Sequence, residues 1–449
     1  MPSRALLTSY RRLFAAPGAV AFTLTGLLGR LALSMNGVAL VVLLSERRGS
    51  YGLAGAVSAT GLVTGAIGMP LIGRLVDRYG QARVTVPAAL YNAVPLTGLL
   101  LCVRLGAPDW TLLLCSAAWA AAPNLGGMAR SRWAHLHRDD PAARHLANSF
   151  EQALDELCFM AGPVLAMVLC TTFAPEAGLI TAGALGTTGA LLFAAQRRTE
   201  PPLPPPVSAG SVGSAGSPLR VPGLRVLVLT FLATGMVFGA TEITTVAYAD
   251  ALGHKASAGL LLALVAAGSC LAGLLFGLLA PRRAPGPRFL LGATAMVAVL
   301  LLPLAAGLGG AGLGLLGVAL FAAGTATAPT MVTGMTLVQE LLPRRQFNEG
   351  MAMAVSGIVV GISAGAALAG AVAERAAPGT GYALPAAAAG LALLIALAGR
   401  RHLATPGTAT TGGASGPGSD GASDGASGAA STAGSAAADN SERIVSASL

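Results

Sequence analysis

Charged residues are scarce in this sequence, at 10% of its 449 residues. Soluble globular proteins carry about 25% charged residues. A chain that is 54% hydrophobic would also need, in water, a larger core than single domains support. The composition therefore excludes an ordinary soluble domain. It predicts that lipid surrounds most of the chain, with about 20 apolar residues in each membrane span.

Lysine is nearly absent, since Lys255 is the one lysine among 28 lysine and arginine residues. The stretch "ALGHKAS" around it lacks the glycine spacing of a phosphate-binding loop, which excludes an ATP-driven pump. The arginines give a net charge of +9, but they lie between apolar runs and form no continuous stripe. A nucleic-acid-binding protein is therefore excluded as well.

Cysteine is also rare, and no two cysteines have CxxC spacing. The cysteines, all in apolar stretches, are Cys102, Cys115, Cys158, Cys170 and Cys270. We interpret them as small hydrophobic residues within helices. Cys102 and Cys115 bracket one short loop, and a disulfide between them outside the cell is the alternative.

Groups of catalytic or metal-binding residues are missing. His135, His137 and His145 share one predicted loop, but no acidic or cysteine residues stand at a matching spacing, so we predict no metal site. No Ser–His–Asp arrangement and no pair of carboxylates in a soluble cleft stands out. The sequence therefore predicts neither an enzyme nor a bound cofactor.

Long apolar runs are what the sequence does contain. Twelve runs of about twenty residues predict an all-α polytopic membrane protein with twelve transmembrane helices. The predicted spans are 19–44, 51–73, 84–103, 110–130, 148–171, 177–195, 225–248, 257–280, 289–307, 311–334, 350–373 and 380–399.

A stretch rich in Pro, Gly and Ser divides these spans into two sets of six. We predict an N-terminal six-helix bundle at 1–198, a cytoplasmic linker at 199–222, a C-terminal six-helix bundle at 223–402 and a disordered cytoplasmic tail at 403–449. A shift of 204 residues places Gly73 on Gly277 and Arg78 on Arg282. The two halves therefore form weak pseudo-repeats.

Arginine is concentrated in alternate loops. Arg74, Arg78 and Arg83 follow the second span, for example, and Arg130, Arg132, Arg138 and Arg144 are counted with the loop after the fourth. Further clusters follow the sixth, eighth and tenth spans. Few basic residues lie in the intervening loops. Since cytoplasmic loops hold the excess of basic residues, we predict that both termini are cytoplasmic.

The loop after the second span carries the pattern G-x-L-x-D-R-x-G-x-x-R, formed by Gly73, Leu75, Asp77, Arg78, Gly80 and Arg83. With twelve spans in two halves joined by a cytoplasmic linker, the sequence resembles the major facilitator superfamily over residues 12–402. The resemblance implies two six-helix bundles with a substrate site between them at mid-membrane, and transport by alternating access. It identifies no substrate.

We predict that this pattern forms a cytoplasmic gate. Gly73 lets two helices approach closely, and Asp77 can accept hydrogen bonds from backbone N–H groups at a neighbouring helix end. We expect Arg78 and Arg83 to pair with acidic groups across the interface between the halves. The resemblance implies that such contacts hold the outward-open state. The second half has Pro281 in place of the aspartate, so we expect an asymmetric gate. An ordinary positively charged loop is the alternative.

Ionisable residues within a span are costly to insert and therefore indicate function. Arg30 and Ser34 share a small, polar face of the first span, which we expect to line a water-filled cavity. Asp155 and Glu156 lie in the fifth span, close to Arg30 in depth, and Glu242 lies in the outer half of the seventh span. We predict that these side chains bind substrate or protons. A static structural pair between the arginine and the fifth-span carboxylates is the alternative.

The fifth span also contains Gly162 and Pro163, which we predict to bend the helix. Members of the superfamily that export drugs often carry a glycine-rich motif there that ends in Gly-Pro-x-x-Gly-Gly. Here Ala166 and Met167 replace the final glycines, so the resemblance to that motif is partial. The fourth span also lacks the mid-helix arginine of the drug-antiporter pattern.

We therefore predict a secondary active transporter, similar to bacterial drug and metabolite efflux members, that exports small organic molecules by proton-coupled alternating access. The expected partners are a small-molecule substrate, protons and the lipid bilayer of a bacterial cytoplasmic membrane, and we expect a monomer. An importer or facilitator of a small polar or anionic solute is one alternative. A transport-inactive membrane scaffold or sensor is another.

Overall fold

The computed structural model of the chain describes residues 2–119, 122–203, 217–254, 257–279, 284–375 and 377–403. These residues form helices joined by short turns, and no strand occurs among them. The α-helices are α1 (Pro2–Leu13), α2 (Ala19–Arg48), α3 (Tyr51–Tyr79), α4 (Gln81–Arg104), α5 (Asp109–Trp119), α6 (Leu125–Leu136), α7 (Pro141–Thr172), α8 (Ala177–Ala195), α9 (Pro222–Ala251), α10 (Ala258–Leu278), α11 (Pro285–Leu308), α12 (Leu313–Leu341), α13 (Phe347–Ala373) and α14 (Ala383–Ala398). Nearly all of the tail predicted to be disordered, and the centre of the predicted linker, lie outside the described residues.

Eleven helices of the described chain are long and apolar enough to cross a membrane, and they match eleven of the predicted spans. The fourth predicted span is instead divided between α5 and α6, because residues 122–124 are not helical. Pro123 has no backbone N–H to donate, and the Asn124 side chain starts α6 by accepting a hydrogen bond from the N–H of Gly127 at 3.0 Å. The predicted all-α multi-pass fold is confirmed, with a break in its fourth span.

Glycine turns separate consecutive spans where the sequence offers little other signal. Gly80 lies between α3 and α4 with φ of 94°, a conformation that favours glycine. Beside it, the Glu200 carboxylate accepts the backbone N–H of Ala82 at 3.0 Å and stabilises the start of α4. Gly310, with φ of 63°, likewise separates α11 from α12.

The membrane helices form two groups, each of which packs mainly on itself. The first group comprises α2–α8, with buried cores around Leu99 and Trp133. The second group comprises α9–α14, with buried cores around Phe231 and Met296. Two helical halves were predicted and are confirmed, whereas the boundaries of the bundles and the linker stay predictions.

Two seams join the groups: α3 packs on α13, and α7 packs on α10 and α12. Gly73 of α3 lies against the backbone of Asn348 at the start of α13. Gly277 of α10 lies against Ser149 near the start of α7. The two glycines that the 204-residue shift superimposes therefore occupy equivalent places in the two seams.

Both seams are held at the same end of the helices. We call it the basic end, because it carries Arg74, Arg78, Arg83, Arg138, Arg144, Arg344 and Arg345. Helices α3, α10 and α12 finish there, and α7 and α13 begin there. The alternation of the helices therefore gathers arginines that are far apart in sequence.

Helices α9 and α13 of the second group pack with their backbones in contact. Gly235 and Gly239 of α9 lie against carbonyl groups of α13, and Gly361 and Gly365 of α13 lie against carbonyl groups of α9. A side chain larger than hydrogen would collide with backbone at these positions. The two helices therefore form one tightly joined pair.

Helix α1 precedes the first span and was not among the predicted helices. Tyr10, near its end, packs against the ring of Phe150 with centroids 5.9 Å apart. The Tyr10 hydroxyl also donates to the carbonyl oxygen of Leu274 in α10 at 3.1 Å. This short helix therefore contacts both groups.

Candidate functional site

The first part of the candidate site is the contact between the end of α3 and the start of α13. The Asp77 carboxylate accepts hydrogen bonds from the backbone N–H groups of Asn348 at 3.0 Å and Glu349 at 2.9 Å, and from the Asn348 side-chain amide at 2.7 Å. The first turn of a helix leaves its N–H groups without partners in the helix, so a carboxylate there is favourable. The contact that the sequence predicts for Asp77 is present.

The glycine pattern around Asp77 allows the two helices to meet. A Cβ atom on Gly73 would lie 2.6 Å from the carbonyl oxygen of Asn348, too close for any other residue without a shift of the backbone. Gly80 ends α3 in its glycine-specific conformation. Leu75 is 43% exposed and lies away from the contact.

Arg78 and Arg83 do not make the ion pairs across the interface that the sequence leads us to expect. Among the described residues, neither has a carboxylate within ion-pair distance. The Arg78 guanidinium carbon lies 5.2 Å from the ring centroid of Tyr79, and Arg83 lines an apolar groove with Tyr91. The physical reason is that Asp77, the carboxylate of the motif, is already occupied by N–H donors.

Near the start of α7, the second seam is made mostly by neutral polar groups. Asn148 of α7 exchanges two hydrogen bonds with Gln339 of α12, each 3.0 Å long, and donates another to Thr336 at 3.1 Å. The Nε2 atom of His145 lies 2.9 Å from the carbonyl oxygen of Phe276 in α10. The two seams therefore differ in chemistry. Position 281, where the sequence lacks the aspartate, lies outside the described residues.

Farther along α7, Glu156 reaches the second group. Its carboxylate accepts hydrogen bonds from Ser269 of α10 at 2.9 Å and from Gln152 at 3.2 Å. Ser269 in turn accepts a hydrogen bond from Thr327 of α12 at 3.0 Å. No basic side chain of the described chain forms an ion pair with Glu156. A change in its protonation would therefore act directly on the contact between the groups.

A buried ion cluster lies within the first group. Arg30 Nη1 is 2.6 Å from Glu151 Oε2 and 3.1 Å from Asp155 Oδ1. Arg130 Nη2 pairs with Asp155 Oδ2 at 2.7 Å, and Trp133 Nε1 donates to Glu151 Oε1 at 2.6 Å. Two arginines and two carboxylates thus balance in charge, although Arg30 and Arg130 are only 7% and 2% exposed. The expected pairing of Arg30 with Asp155 is present, as part of a larger cluster.

Two donors of this cluster are left over. The Nη2 group of Arg30 and the Nε group of Arg130 are buried and have no hydrogen-bond partner among the residues that the structure describes. Buried donors are normally paired with protein or water. These unpaired groups are the feature of the cluster that a polar ligand would satisfy.

Ser34, Gly162 and Pro163 lie where α2 and α7 pack together. The Ser34 hydroxyl donates to the carbonyl oxygens of Leu31 and Cys158, both at 2.8 Å. A Cβ atom on Gly162 would collide with that hydroxyl, and α7 stays helical through Pro163. This geometry gives Ser34 and Gly162 a role in helix packing, and a role for Ser34 in substrate binding stays a prediction.

Glu242 stands apart from the other predicted residues. It is exposed on α9, and it forms no ion pair or hydrogen bond with a residue of the described ranges. It lies about two helical turns beyond Gly235, on the same side of α9 as the glycines that contact α13. The structure therefore brings Arg30 and Asp155 together, places Glu156 at the second seam, and leaves Glu242 separate.

Arg130 and Arg132 were predicted to be in a cytoplasmic loop, and both are instead buried in α6. Arg132 donates to the Gln81 side chain at 2.8 Å and to the Phe193 carbonyl oxygen at 3.0 Å, and its guanidinium lies 3.8 Å from the Phe193 ring centroid. The available signal is the three-residue step from Arg130 to Trp133, which places an arginine and an aromatic residue on one helix face.

At the end of the molecule opposite the basic end, Glu176 binds two arginines of the first group. Its Oε1 atom lies 2.8 Å from Arg47 and 3.7 Å from Arg104, and Arg47 also donates to Oε2 at 3.0 Å. Glu176 is only 1% exposed, whereas the arginines are 47% and 64% exposed. The hydrogen bond from Arg47 holds the pKa of Glu176 below its usual value, against the opposing effect of burial.

Comparison with known proteins gives one family. The family model described as Major Facilitator Superfamily matches residues 22–321 of the chain. A curated relative from Sinorhizobium fredii, the uncharacterized MFS-type transporter y4rN, is 28% identical over 374 residues, which cover 81% of this chain and 90% of the relative.

Solved structures share the same fold at low sequence identity. A bacterial homologue of the iron transporter ferroportin, in an outward-facing state, has a TM-score of 0.68 at 14% identity and covers 85% of this chain and 98% of its own. The human organic anion transporter MFSD10 (TETRAN) has a TM-score of 0.63 at 16% identity, covering 84% and 98%. The proton:xylose symporter XylE has a TM-score of 0.61 at 16% identity, covering 84% and 94%.

Proposed function

Because the chain belongs to the major facilitator superfamily, we propose that it is a secondary active transporter that exports small organic molecules in exchange for protons. The family and the multi-pass fold make the chain a membrane transport protein. Export, proton coupling and a monomeric unit are our proposal. We also propose that the protein lies in a bacterial cytoplasmic membrane with the basic end in the cytoplasm. The arginine distribution and the bacterial relative support this location.

The observation that carries the proposal is the position of Glu156 among the hydrogen bonds between the groups. Those bonds extend from the basic end, at Asp77, His145 and Asn148, to the middle of α7, at Glu156. Alternating access requires that the bonds at one end break while the other end closes. Glu156 is the half-buried carboxylate of α7 that takes part in this closure, and it has no arginine partner among the described residues.

Protonation of Glu156 gives a physical route to coupling. An ionised carboxylate accepts hydrogen bonds at both oxygens, whereas a protonated one presents a donor and accepts more weakly. Binding of a proton from outside the cell would therefore weaken the bond from Ser269 and favour opening of the basic end. Release of the proton into the cytoplasm would restore the contact. Substrate bound in the cytoplasm-facing state would then leave on the other side.

The other ionisable residues take different parts in this proposal. Glu242 lies in the last third of α9, toward the outer end, where it can receive a proton before Glu156 does. Asp155 forms ion pairs with Arg30 and Arg130, and these two arginines fix its charge. We assign proton binding to the two glutamates. We assign to Asp155 a structural role in the wall of the proposed substrate cavity.

The unpaired Nη2 of Arg30 supports a second candidate function. A buried guanidinium donor of this kind suits the uptake or facilitated diffusion of a small polar or anionic solute. In the present conformation, however, Nη1 of Arg30 is neutralised by two carboxylates. Export of small organic molecules is therefore the first proposal, and the Arg30→Ala variant separates the two.

The test uses the purified full chain in proteoliposomes that contain a pH-sensitive dye. A proton gradient is imposed, and a panel of drugs, secondary metabolites, sugars and organic anions is screened for compound-dependent proton flux. Glu156→Gln, Glu242→Gln and Arg30→Ala are compared with Asp139→Asn, a control carboxylate that is 89% exposed. We expect flux driven by a compound in the wild-type chain and in the control, and loss of that flux in both glutamine variants.

Other results would redirect the proposal. Compound uptake with no movement of protons, lost in Arg30→Ala, would favour the facilitator. Coupled flux that survives both glutamine variants would refute the assignment of the proton sites. A well-folded protein that responds to no compound of the panel would favour the scaffold or sensor.

A further inference from the structure

A cavity of about 160 Å³ lies between the two groups at the basic end. Its charged lining is mostly basic: Arg138 and Arg144 come from the first group and Arg344 from the second, with His135 beside them. Asp77 is the one carboxylate among the described lining residues. The volume is several times the share of one water molecule in the liquid, so the cavity has room for a small ion.

The described residues compensate this positive charge only in part, since Glu340 interacts with Arg144 at longer range than an ion pair. Asp77 is occupied by the N–H groups at the start of α13. Arg138 pairs with Asp139 at 3.2 Å, but the two side chains are 61% and 89% exposed, and such pairs interact weakly. In the described part of the chain, Arg144 and Arg344 have no carboxylate within ion-pair distance.

Two buried nitrogen atoms of the lining residues also lack hydrogen-bond partners. Arg144 Nε and His135 Nδ1 are inaccessible to solvent and have no hydrogen-bond partner among the described residues. Arginine has donors only, and a histidine ring nitrogen that carries hydrogen needs an acceptor as well. What this lining lacks is therefore a group with negative charge and several acceptor oxygens.

We propose that the cavity binds a phosphate-class oxyanion. Guanidinium groups bind such anions through charge-assisted hydrogen bonds, often in pairs. Since Arg144 and Arg344 belong to different groups, a bound anion bridges them and favours the conformation that is closed at the basic end. The site is separate from the proposed proton sites and does not depend on the substrate or on the direction of transport. Inorganic phosphate and the phosphate group of a membrane lipid share the required chemistry.

His135 gives this site an expected pH dependence. Burial, followed by the nearby charges of Arg344 and Arg138, lowers the pKa of His135 below its usual value. Arg144 also faces the cavity, and Asp77 is the opposing carboxylate. A bound anion would favour the imidazolium and raise that pKa. Anion binding should therefore take up a proton and become tighter as the pH falls toward the pKa of histidine.

The test is calorimetric titration of sulfate and of inorganic phosphate into the full chain in nanodiscs of phosphatidylcholine, at constant ionic strength. Sulfate keeps its double charge across the pH range, so its pH dependence reports on the protein. We expect Arg144→Gln and Arg344→Gln each to weaken sulfate binding by about tenfold or more, as loss of one charge-assisted contact does. Arg198→Gln, an exposed arginine outside the cavity, is the matched control and should bind like wild type. His135→Gln should bind sulfate without the pH dependence.

Several results would overturn the proposal. One is equal binding by the wild type, Arg144→Gln and Arg344→Gln, and another is the absence of binding by a wild-type chain that elutes and melts as a folded protein. The cavity variants must melt like the Arg198→Gln control, so that a loss of binding is not a loss of fold. The distribution of spin-label distances between the groups at the basic end should become shorter or narrower when sulfate is added to the wild type. It should not change when sulfate is added to Arg144→Gln or Arg344→Gln.

A second set of nanodiscs separates the two sources of the anion. Part of the phosphatidylcholine is replaced by phosphatidylglycerol, and the sulfate titration is repeated. Loss of sulfate binding in these discs, restored on return to phosphatidylcholine, identifies a lipid headgroup in the cavity. Unchanged sulfate binding identifies a free cytoplasmic anion. Both results require the weaker binding of Arg344→Gln, and without it the proposal fails.

Discussion

The Asp77 carboxylate at the end of α3 accepts the backbone N–H of Glu349 at the start of α13, at 2.9 Å. The two residues belong to different helix groups, so this bond spans the boundary along which the halves of a transporter separate. A charged acceptor here faces the positive end of a helix dipole. The motif residue therefore binds the positive end of a helix, and no basic side chain of the described chain forms an ion pair with it.

Asp77→Asn should favour opening of the basic end. The amide keeps the size of the side chain but loses its charge and one acceptor, and hydrogen bonds to charged groups contribute about 1.5–3 kcal/mol each. Spin labels at the exposed positions Arg198 and Arg400, in a chain without native cysteines, should show a longer or broader distance distribution by pulsed EPR. Asp139→Asn is the control. An unchanged distribution in Asp77→Asn would show that the contact does not hold the gate.

Gly73→Ala and Gly55→Ala should have opposite effects, although both are glycine-to-alanine changes in α3. A Cβ on Gly73 would meet the Asn348 carbonyl oxygen at 2.6 Å, whereas a Cβ on Gly55 would meet nothing within 4 Å. At the open position alanine favours the helix by up to about 1 kcal/mol. Thermal unfolding in detergent should therefore give a lower Tm for Gly73→Ala and an equal or higher Tm for Gly55→Ala. Equal shifts would contradict the close approach of α3 to α13.

The pair of Arg130 and Asp155 should show strong energetic coupling. Removal of one partner from a buried ion pair costs about 3–5 kcal/mol, because the other charge stays buried without compensation. Asp155→Asn and Arg130→Gln should each lower the stability by an amount of this order, and the double variant by less than their sum. Chemical unfolding of the four proteins provides the double-mutant cycle. Additive effects would mean that the two side chains do not interact, despite their 2.7 Å separation.

Glu176 should contribute to stability at neutral pH and lose that contribution in acid. Its pKa is lowered in the folded chain, chiefly by the Arg47 hydrogen bond, so the stabilisation is complete above the unfolded pKa of about 4.3. It disappears as the pH falls through the lower folded value. Glu176→Gln should cost about 1 kcal/mol at neutral pH, since Arg47 is partly exposed, and should flatten the acid side of a plot of Tm against pH.

A matched control exists for this pH experiment. Asp109→Asn removes a carboxylate that is 63% exposed and 3.8 Å from Arg48. It should leave the acid side of the stability curve close to that of the wild type. The interpretation of Glu176 would be wrong if both variants, or neither, flattened the curve.

The fold could be predicted from apolar runs because each membrane helix must satisfy its own backbone hydrogen bonds in lipid. The same reasoning could not find α1, since it is too short and polar to register as a span. It also could not find the break at Pro123, because a proline within an apolar run is compatible with a continuous membrane helix, as Pro70 of α3 demonstrates. The cap that Asn124 gives to α6 distinguishes the broken helix at Pro123 from the continuous helix at Pro70.

The parts of the candidate site that could be predicted are those whose depth in the membrane follows from position along a helix. Arg30 and Asp155 lie on neighbouring helices that run in the same direction, so their depths follow from sequence position. Ser269, in contrast, reaches Glu156 from the other group, 113 residues away. A single sequence does not predict the rotation of α10 about its axis that turns Ser269 toward Glu156. Arg130 was assigned to a loop because charge alone suggests one, whereas its ion pair with the Asp155 carboxylate makes its burial favourable.

The contact of α9 with α13 has a mechanical consequence. The backbones of the two helices touch at Gly235, Gly239, Gly361 and Gly365. Neither helix can rotate or slide independently, because such a movement would make the two backbones collide. The start of α13 is the part that Asp77 holds. Release of that end therefore displaces both helices as a rigid unit, and Glu242 travels with α9. The Asp77 contact at the basic end and a carboxylate toward the opposite end are thereby parts of one moving body.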